Sequence, residues 1–282
     1  MIELFKSSNG IVTDYDIADA LFSVEASECD VLYIHTDMTF GLPIQKRKKT
    51  LETLYSIIES LNVKTVVFPT FTFSFCNKEV FDSLNTPTKM GALNEYVRKN
   101  VKGIRTEDPL LSVYVIGDKL NLCDNLGNSS IGLESNYDRL HKCGKNVKFL
   151  FLGADMKQCF TYTHYMEAIY KVPYRYDREF IGTYTDNSAM LHENAKFKLF
   201  SSYGNTVLNP VPVVFNAMKQ KNQLNIAQVG DSSVTCFSEK DAYKTISELL
   251  DENIFCLTDG SFKESEKNEI YNKNNTYVLS VR

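Results

Sequence analysis

The stretch Val31-Leu32-Tyr33-Ile34-His35, followed by Ile44 to Leu61 and then Lys64 to Phe73 (KTVVFPTFTF), decides the fold. VLYIH is short, apolar and partly β-branched, which predicts a buried strand. Between Ile44 and Leu61 the apolar residues Leu51, Leu54, Tyr55, Ile58 and Leu61 recur at helical spacing. Lys64 to Phe73 is a second apolar strand, interrupted where Pro69 has no N–H to give to a ladder. Strand, helix and strand in this order predict a βαβ unit with a parallel pair. Loops that carry function in such sheets lie at the carboxyl ends of the strands, here His35 to Gly41 and Pro69 to Ser74.

Outward from this unit the pattern continues. A helix is predicted over Met90 to Asn100, an apolar stretch over Leu111 to Gly117, and another buried strand over Val147 to Asp155. Cys159 to Tyr170 reads as a helix that begins after a short loop. Arg178 to Phe200 alternates as strands do. Pro210 and Pro212 precede a helix to Lys221, Leu224 to Gly230 is a last core strand, and Glu239 to Asn253 a last amphipathic helix. Lys263 to Asn275, rich in Lys, Asn and Glu, reads as a solvated turn region. The alternation predicts an α/β fold, a central mostly parallel or mixed sheet flanked by helices. Residues 1–282 are read as one domain, with a small β-rich lobe near 175–205.

Bulk properties narrow the function. The 282 residues are 43% apolar and 23% charged, as in ordinary globular proteins, and carry a net charge of −4 with no one-sign tail. A dedicated nucleic-acid binder would carry a basic excess, so no nucleic-acid partner is expected. No run approaches the roughly 18 apolar residues of a membrane helix, and the N-terminus lacks the pattern of a signal peptide. A cytoplasmic protein with no membrane partner is expected. The seven cysteines are scattered and form no CxxC pair, which argues for buried thiols and against a disulfide framework or zinc ribbon. No histidine pair has metal-ligand spacing, so no metal is expected; His141 and His192 read as surface residues.

Four segments carry possible chemistry. In Thr163-His164-Tyr165-Met166-Glu167, His164 and Glu167 share a helix face. A carboxylate beside an imidazole orients it and makes it a better proton acceptor near neutral pH. The same spacing also suits an exposed helix pair of little consequence. The loop His35 to Pro43 (HTDMTFGLP) precedes a helix N-terminus that suits an anion. Lys46, Arg47, Lys48 and Lys49 oppose the helix dipole there, which the phosphates of a coenzyme A would relieve. Phe68 to Phe75 alternates aromatics with Thr70, Thr72 and Ser74, either as a continued strand or as a pocket wall with its hydroxyls towards a ligand. Arg105 to Gly117 reads as a charged turn around Pro109 leading into a strand.

In this order the segments resemble the aminoglycoside 3-N-acetyltransferase family. HTDMTFG stands where that family has its His-Ser-Ser loop, and Pro69-Thr70-Phe71-Thr72 matches its P-T-F-T segment. Arg105, Thr106, Pro109, Ser112 and Gly117 match an R-S-x-x-P-x-x-S-x-x-x-x-G-like segment, and Gly132 to Ser135 matches G-x-x-S. Tyr162 to Glu167 stands at the T-x-H-x-x-E segment, followed by Val172 to Arg175 at V-P-Y-R, and Val229 to Ser232 aligns with a V-G-x-A segment. The chain departs from the pattern at Thr36 and Asp37, at Asp108 where the family has His, and at Asp231 and Ser232.

The resemblance implies an N-acetyltransferase that uses acetyl-CoA and a primary-amine acceptor on an aminoglycoside or amino sugar, as a monomer or homodimer. It implies His164 as general base and Glu167 as its orienting partner, with direct transfer in a ternary complex. Cofactor contacts would come from His35, Thr36, Asp37, Met38, Thr39, Phe40, Gly41, Thr70, Asp108 and Ser112. Acceptor contacts would come from Phe71, Thr72, Phe73, Arg105 and Tyr165. Asp37 and Asp108 would add acid at the cleft and favour a cationic acceptor. Two alternatives stand beside this reading: a thiol nucleophile at Cys76 or Cys159 working with His164, and a non-catalytic carbohydrate-binding protein on the same fold.

Overall fold

A seven-stranded mixed sheet divides the molecule. In space its strands run Asn225–Val229, Ser232–Ser238, Val147–Leu152, Val31–Thr36, Thr65–Pro69, Val113–Gly117 and Ile104–Arg105. The structure is a computed structural model that describes residues 1–124, 126–203, 210–259 and 262–263. Val31–Thr36 is parallel to both its neighbours, and every other pairing in the sheet is antiparallel. The parallel centre is the unit read from VLYIH, and helix Arg47–Ser60 is its crossover.

Strand alternation makes two cores. Leu32, Ile34, Val66, Phe68, Leu150 and Leu152 face one side, packed under helices Asp14–Ser23, Arg47–Ser60 and Ala92–Asn100. Tyr33, Val67, Phe149 and Phe151 face the other, under helices Asn136–Lys142, Tyr162–Tyr170 and Glu239–Glu252. His35 follows Tyr33 in this alternation and therefore lies on the same side as helix Tyr162–Tyr170, its ring stacked on Phe151 at 4.6 Å.

The β-rich lobe is a long antiparallel hairpin, Arg175–Thr185 with Leu191–Ser202, joined in parallel by Phe81–Asp82. A second small sheet combines the hairpin Glu3–Ser7 and Gly10–Thr13 with Leu42–Pro43. That hairpin and helix Asp14–Ser23 were not read from the sequence, although Thr13 and Asp16 form a reciprocal capping box there. The strand Ser232–Ser238 was missed too, because its serines disguise an inner strand that buries Val234, Cys236 and Phe237. Asn225–Val229, expected as the last core strand, is the sheet's edge instead. Pro210 and Pro212 lie in the first turn of helix Pro210–Gln220 rather than before it, where the backbone N–H groups have no intrahelical acceptor to lose. Beyond Lys263, the predicted turn region to Asn275 lies outside the described residues. Among the described residues no helix is long and apolar enough to cross a membrane.

Candidate active site

A cavity of about 440 Å³ opens at the carboxyl ends of the three parallel strands. His35 and Thr36 line it from one strand, Pro69 from the next, and Ala154 from the segment after Val147–Leu152. Across from them stand His164 and Thr161 of the Tyr162–Tyr170 region, and Arg175, Leu199, Phe200, Ser201 and Ser202 of the hairpin lobe. The lobe thus closes the cavity that the sheet opens.

Helix Tyr162–Tyr170 turns sequence spacing into chemistry. Its interior turn brings His164 Nδ1 to 2.7 Å from Glu167 Oε2. Glu167 is fully buried, and its charge is met on three sides. Arg175 Nε lies 2.8 Å from Oε2, Tyr174 Oη donates to Oε1 at 3.0 Å, and His164 takes the third position. Burial alone would raise the Glu167 pKa; Arg175, His164 and Tyr174 outweigh it and hold the carboxyl below its ordinary value. The His164 pKa is lowered, by burial first and by Arg175 second, against the pull of Glu167. The imidazole is therefore neutral near pH 7 and able to accept a proton.

Arg175 Nη2 also lies 2.8 Å from His164 Nδ1. A guanidinium only donates and a carboxylate only accepts, so Nδ1 serves one of them at a time. With Nδ1–H donating to Glu167, the Nε2 lone pair is left as the ring's acceptor. Arg175 and Tyr174 were quoted in the sequence only as part of a Val-Pro-Tyr-Arg segment. Nothing in their spacing from His164 announced that a chain reversal at Lys171, with φ of +51°, folds them back onto Glu167.

The other expected site residues divide. His35 is buried at the cavity wall, its Nε2 has no partner among the described residues, and burial lowers its pKa to about 3. Thr36 also lines the cavity, and its Oγ1 donates to Asn94 Oδ1 at 2.5 Å while Asn94 Nδ2 donates to Pro69 O at 2.7 Å. Asn94 thereby ties two strand ends together, a role the sequence did not suggest.

From Asp37 onward the loop leaves the cavity. Asp37 and Thr39 line a separate polar cavity, and Thr39 Oγ1 is bonded to Gly153 O and to Ser232 Oγ. Met38 packs against the opposite core, and Phe40 is buried within it, 5.6 Å from Phe5. Gly41 has φ of +143°, and a Cβ there would lie 2.5 Å from Lys6 O. These residues pack the loop; they do not face the cavity of His164. The cations Lys46 to Lys49 do not line it either.

Phe71 and Phe73 line the cavity, whereas Thr70 and Thr72 are buried behind it, because alternation sends the aromatics inward and the hydroxyls away. Thr70, Ser112 and Arg105 form a buried brace: Arg105 Nε donates to Ser112 Oγ at 3.0 Å and Nη2 to Thr70 O at 2.5 Å. Its guanidinium lies over Phe81 rather than at the cavity, and burial lowers its pKa to about 9. Asp108 is buried and accepts from Leu110 N, Leu111 N and Ser130 Oγ, so it holds a turn and adds no acid to the cleft. Burial raises its pKa. Tyr165, expected at the acceptor, is buried and donates to Asp138 at 3.1 Å outside the cavity wall.

His141 and His192, expected at the surface, are half-buried and engaged. His141 is bonded to Glu239 and stacked on Tyr243; His192 is bonded to Asp186 and stacked on Tyr184. Burial pushes the thiols of Cys76 and Cys159 up to about 12, the reverse of what a nucleophile needs. All seven cysteines are free.

The fold that carries this cavity is shared by solved structures. The YokD protein from Bacillus subtilis superposes with a TM-score of 0.68 at 15% identity, over 90% of this chain and 96% of its own. AAC-IIIb in its binary complex with CoASH gives 0.69 at 13%, over 85% and 97%, and AAC-VIa bound to sisomicin 0.68 at 15%, over 85% and 97%. At such identities the likeness is one of fold. No curated protein matches the chain in sequence. The family model described as aminoglycoside 3-N-acetyltransferase matches residues 50–251. The chain belongs to the aminoglycoside 3-N-acetyltransferase family and is an N-acetyltransferase.

Proposed function

We propose that the chain transfers the acetyl group of acetyl-CoA to a primary amine, with His164 as general base and Glu167 as the group that orients it. The described residues act as one acetyltransferase domain, and the free thiols fit a reducing cytoplasmic setting. The observation that carries the reading is the Nδ1–Oε2 contact of 2.7 Å at the wall of a cavity, with Glu167 fixed from behind by Arg175 and Tyr174.

An amine arrives protonated and must lose that proton before or as it attacks. Neutral His164, with Nδ1–H held by Glu167, takes it at Nε2. The amine nitrogen bonds to the thioester carbonyl carbon, the C–S bond breaks, and the departing thiolate takes the second proton that the nitrogen sheds as it becomes the amide. Glu167 stabilises the imidazolium that forms, and Arg175 keeps Glu167 ionised. The CoA-bound state of AAC-IIIb supports the cofactor on the shared fold.

The test is thiol release from acetyl-CoA in the presence of a panel of primary amines. His164→Ala is expected to lower turnover by about 10²–10⁴-fold, the range for a general base, with an unchanged circular dichroism spectrum. Wild-type turnover in that variant would remove His164 from the mechanism.

A further inference from the structure

We infer that the acceptor is a small monoamine with an apolar body, and not a polycationic aminoglycoside. The inference rests on the acetyltransferase reading of the same cavity and names the class of its acceptor.

The argument begins with the walls. Apolar residues, among them Phe71, Phe73, Met90, Leu111, Leu199 and Phe200, supply most of the lining. Among the described residues that line the cavity there is no aspartate or glutamate, and Arg175 is the one lysine or arginine. Arg175 is already neutralised by Glu167, which lies buried behind the wall, and His164 is neutral. Among the described residues the cavity therefore offers no uncompensated negative charge.

A polycation entering such a space would shed hydration from several ammonium groups with nothing to replace it. Sites that recognise cations place carboxylates opposite them, because complementary charge is what discriminates among partners. The residues that might have supplied that acid do so elsewhere. Asp108 spends its carboxylate on two backbone N–H groups and Ser130. Asp37, Asp155 and Asp231 line the polar cavity on the far side of the Gly153–Asp155 segment, in the company of Lys157 and Lys219. One ammonium is different: it arrives at His164, which removes its charge as part of the reaction. A single amine on an aromatic or aliphatic body leaves the remaining surface to Phe71, Phe73, Met90 and Leu199, which gain by covering it. The size agrees, since about 440 Å³ must also admit the thioester end of the cofactor.

The test compares kcat/KM for 2-phenylethylamine, glucosamine and gentamicin with the full chain and saturating acetyl-CoA. The expected order places 2-phenylethylamine first and gentamicin last, separated by about 100-fold or more, as unpaired polar groups in a pocket demand. A preference for gentamicin or glucosamine overturns the inference. Leu199→Asp plants a carboxylate on the wall and is expected to narrow or reverse the ratio; Met90→Glu does the same if the first variant fails to fold. A ratio unchanged in a folded variant also overturns it. Calorimetry separates the two levels. Failure to bind CoA would sink the acetyltransferase reading, whereas 2-phenylethylamine binding that Leu199→Asp weakens would still support the apolar acceptor site. Absence of 2-phenylethylamine binding in a chain that does bind CoA would sink the acceptor class alone.

Discussion

Helix Tyr162–Tyr170 and the loop from His35 to Gly41 both reach the same cavity, yet they use their residues in opposite ways. The helix presents His164 to the cavity and keeps Glu167 behind it, so two residues act as one device. The loop divides itself: His35 and Thr36 stay at the cavity, Asp37 and Thr39 turn to the neighbouring polar cavity, and Met38 and Phe40 cross to the other core. A helix has one geometry, so three residues of separation fix a shared face. A loop has none until its contacts choose one, and here the contacts are mostly structural.

The largest effect is expected where the helix device is broken. Glu167→Ala leaves Arg175 buried without its counter-ion and frees His164 Nδ1. Stability should fall by about 3–5 kcal/mol, the cost of orphaning one member of a buried pair, as read from the urea midpoint. Glu167→Gln keeps the volume and discards the charge. It should lose activity while retaining more of the fold than Glu167→Ala. Equal loss of stability in both would mean that the charge alone carries the effect, and wild-type stability in Glu167→Gln would mean that the charge has no part in the arrangement.

On the loop side, Gly41→Ala should cost about 1–3 kcal/mol, the range for a backbone held in a conformation that side chains resist. Its Cβ would also press on the Lys6 carbonyl, so the upper part of that range is expected. The loss should appear in the unfolding midpoint, with KM for acetyl-CoA unchanged in the folded fraction. A raised KM with normal stability would return Gly41 to the cofactor site and erase the contrast with the helix.

How far the sequence revealed these regions follows from the same physics. The βαβ centre was legible because periods of 2 and 3.6 are written into VLYIH and the Leu51 to Leu61 run. The dyad was legible because it lies within one helical turn. Arg175 and Tyr174 were hidden because their approach to Glu167 depends on a turn after the helix, and tertiary approach leaves no local period. Thr70 and Thr72 were expected to face ligand, but alternation gave that place to Phe71 and Phe73. Asp108 and Arg105 looked functional because they are polar near a motif; burial has made them a turn holder and a brace. Ser232–Ser238 carries serines on an inner strand, which composition alone reads as loop.

His35 is the residue where the two regions meet, and pH probes it. Its pKa is lowered from 6.5 to about 3 by burial, so below pH 6.5 the unfolded chain binds a proton that the folded chain refuses. Stability then falls as pH drops through the window from 6.5 to about 3, with a slope of at most about 1.4 kcal/mol per pH unit from this group. His35→Phe, which keeps the stack on Phe151 and removes the titration, should flatten that part of the profile. An unaltered slope would mean that His35 is protonated within the fold, paired through its Nε2.

The smallest effect is expected at Cys159, and it bears on the chemistry most directly. Cys159 is one of the residues that line the cavity of His164, the region where a thiol nucleophile would have to be. Position alone does not make a nucleophile. The Cys159 thiol donates to Asp155 O at 3.2 Å, and burial, with Asp155 and Asp37 adding like-charge repulsion, pushes its pKa up to about 12. A thiolate is then a negligible fraction near neutral pH. Cys159→Ala should leave kcat within about twofold of wild type, the scatter expected of a substitution of roughly 0.5 kcal/mol. Loss of turnover by orders of magnitude, with acetyl trapped on the protein in wild type, would replace direct transfer by an acyl-enzyme. In that case the loop and helix would meet through Cys159 rather than through His164 alone.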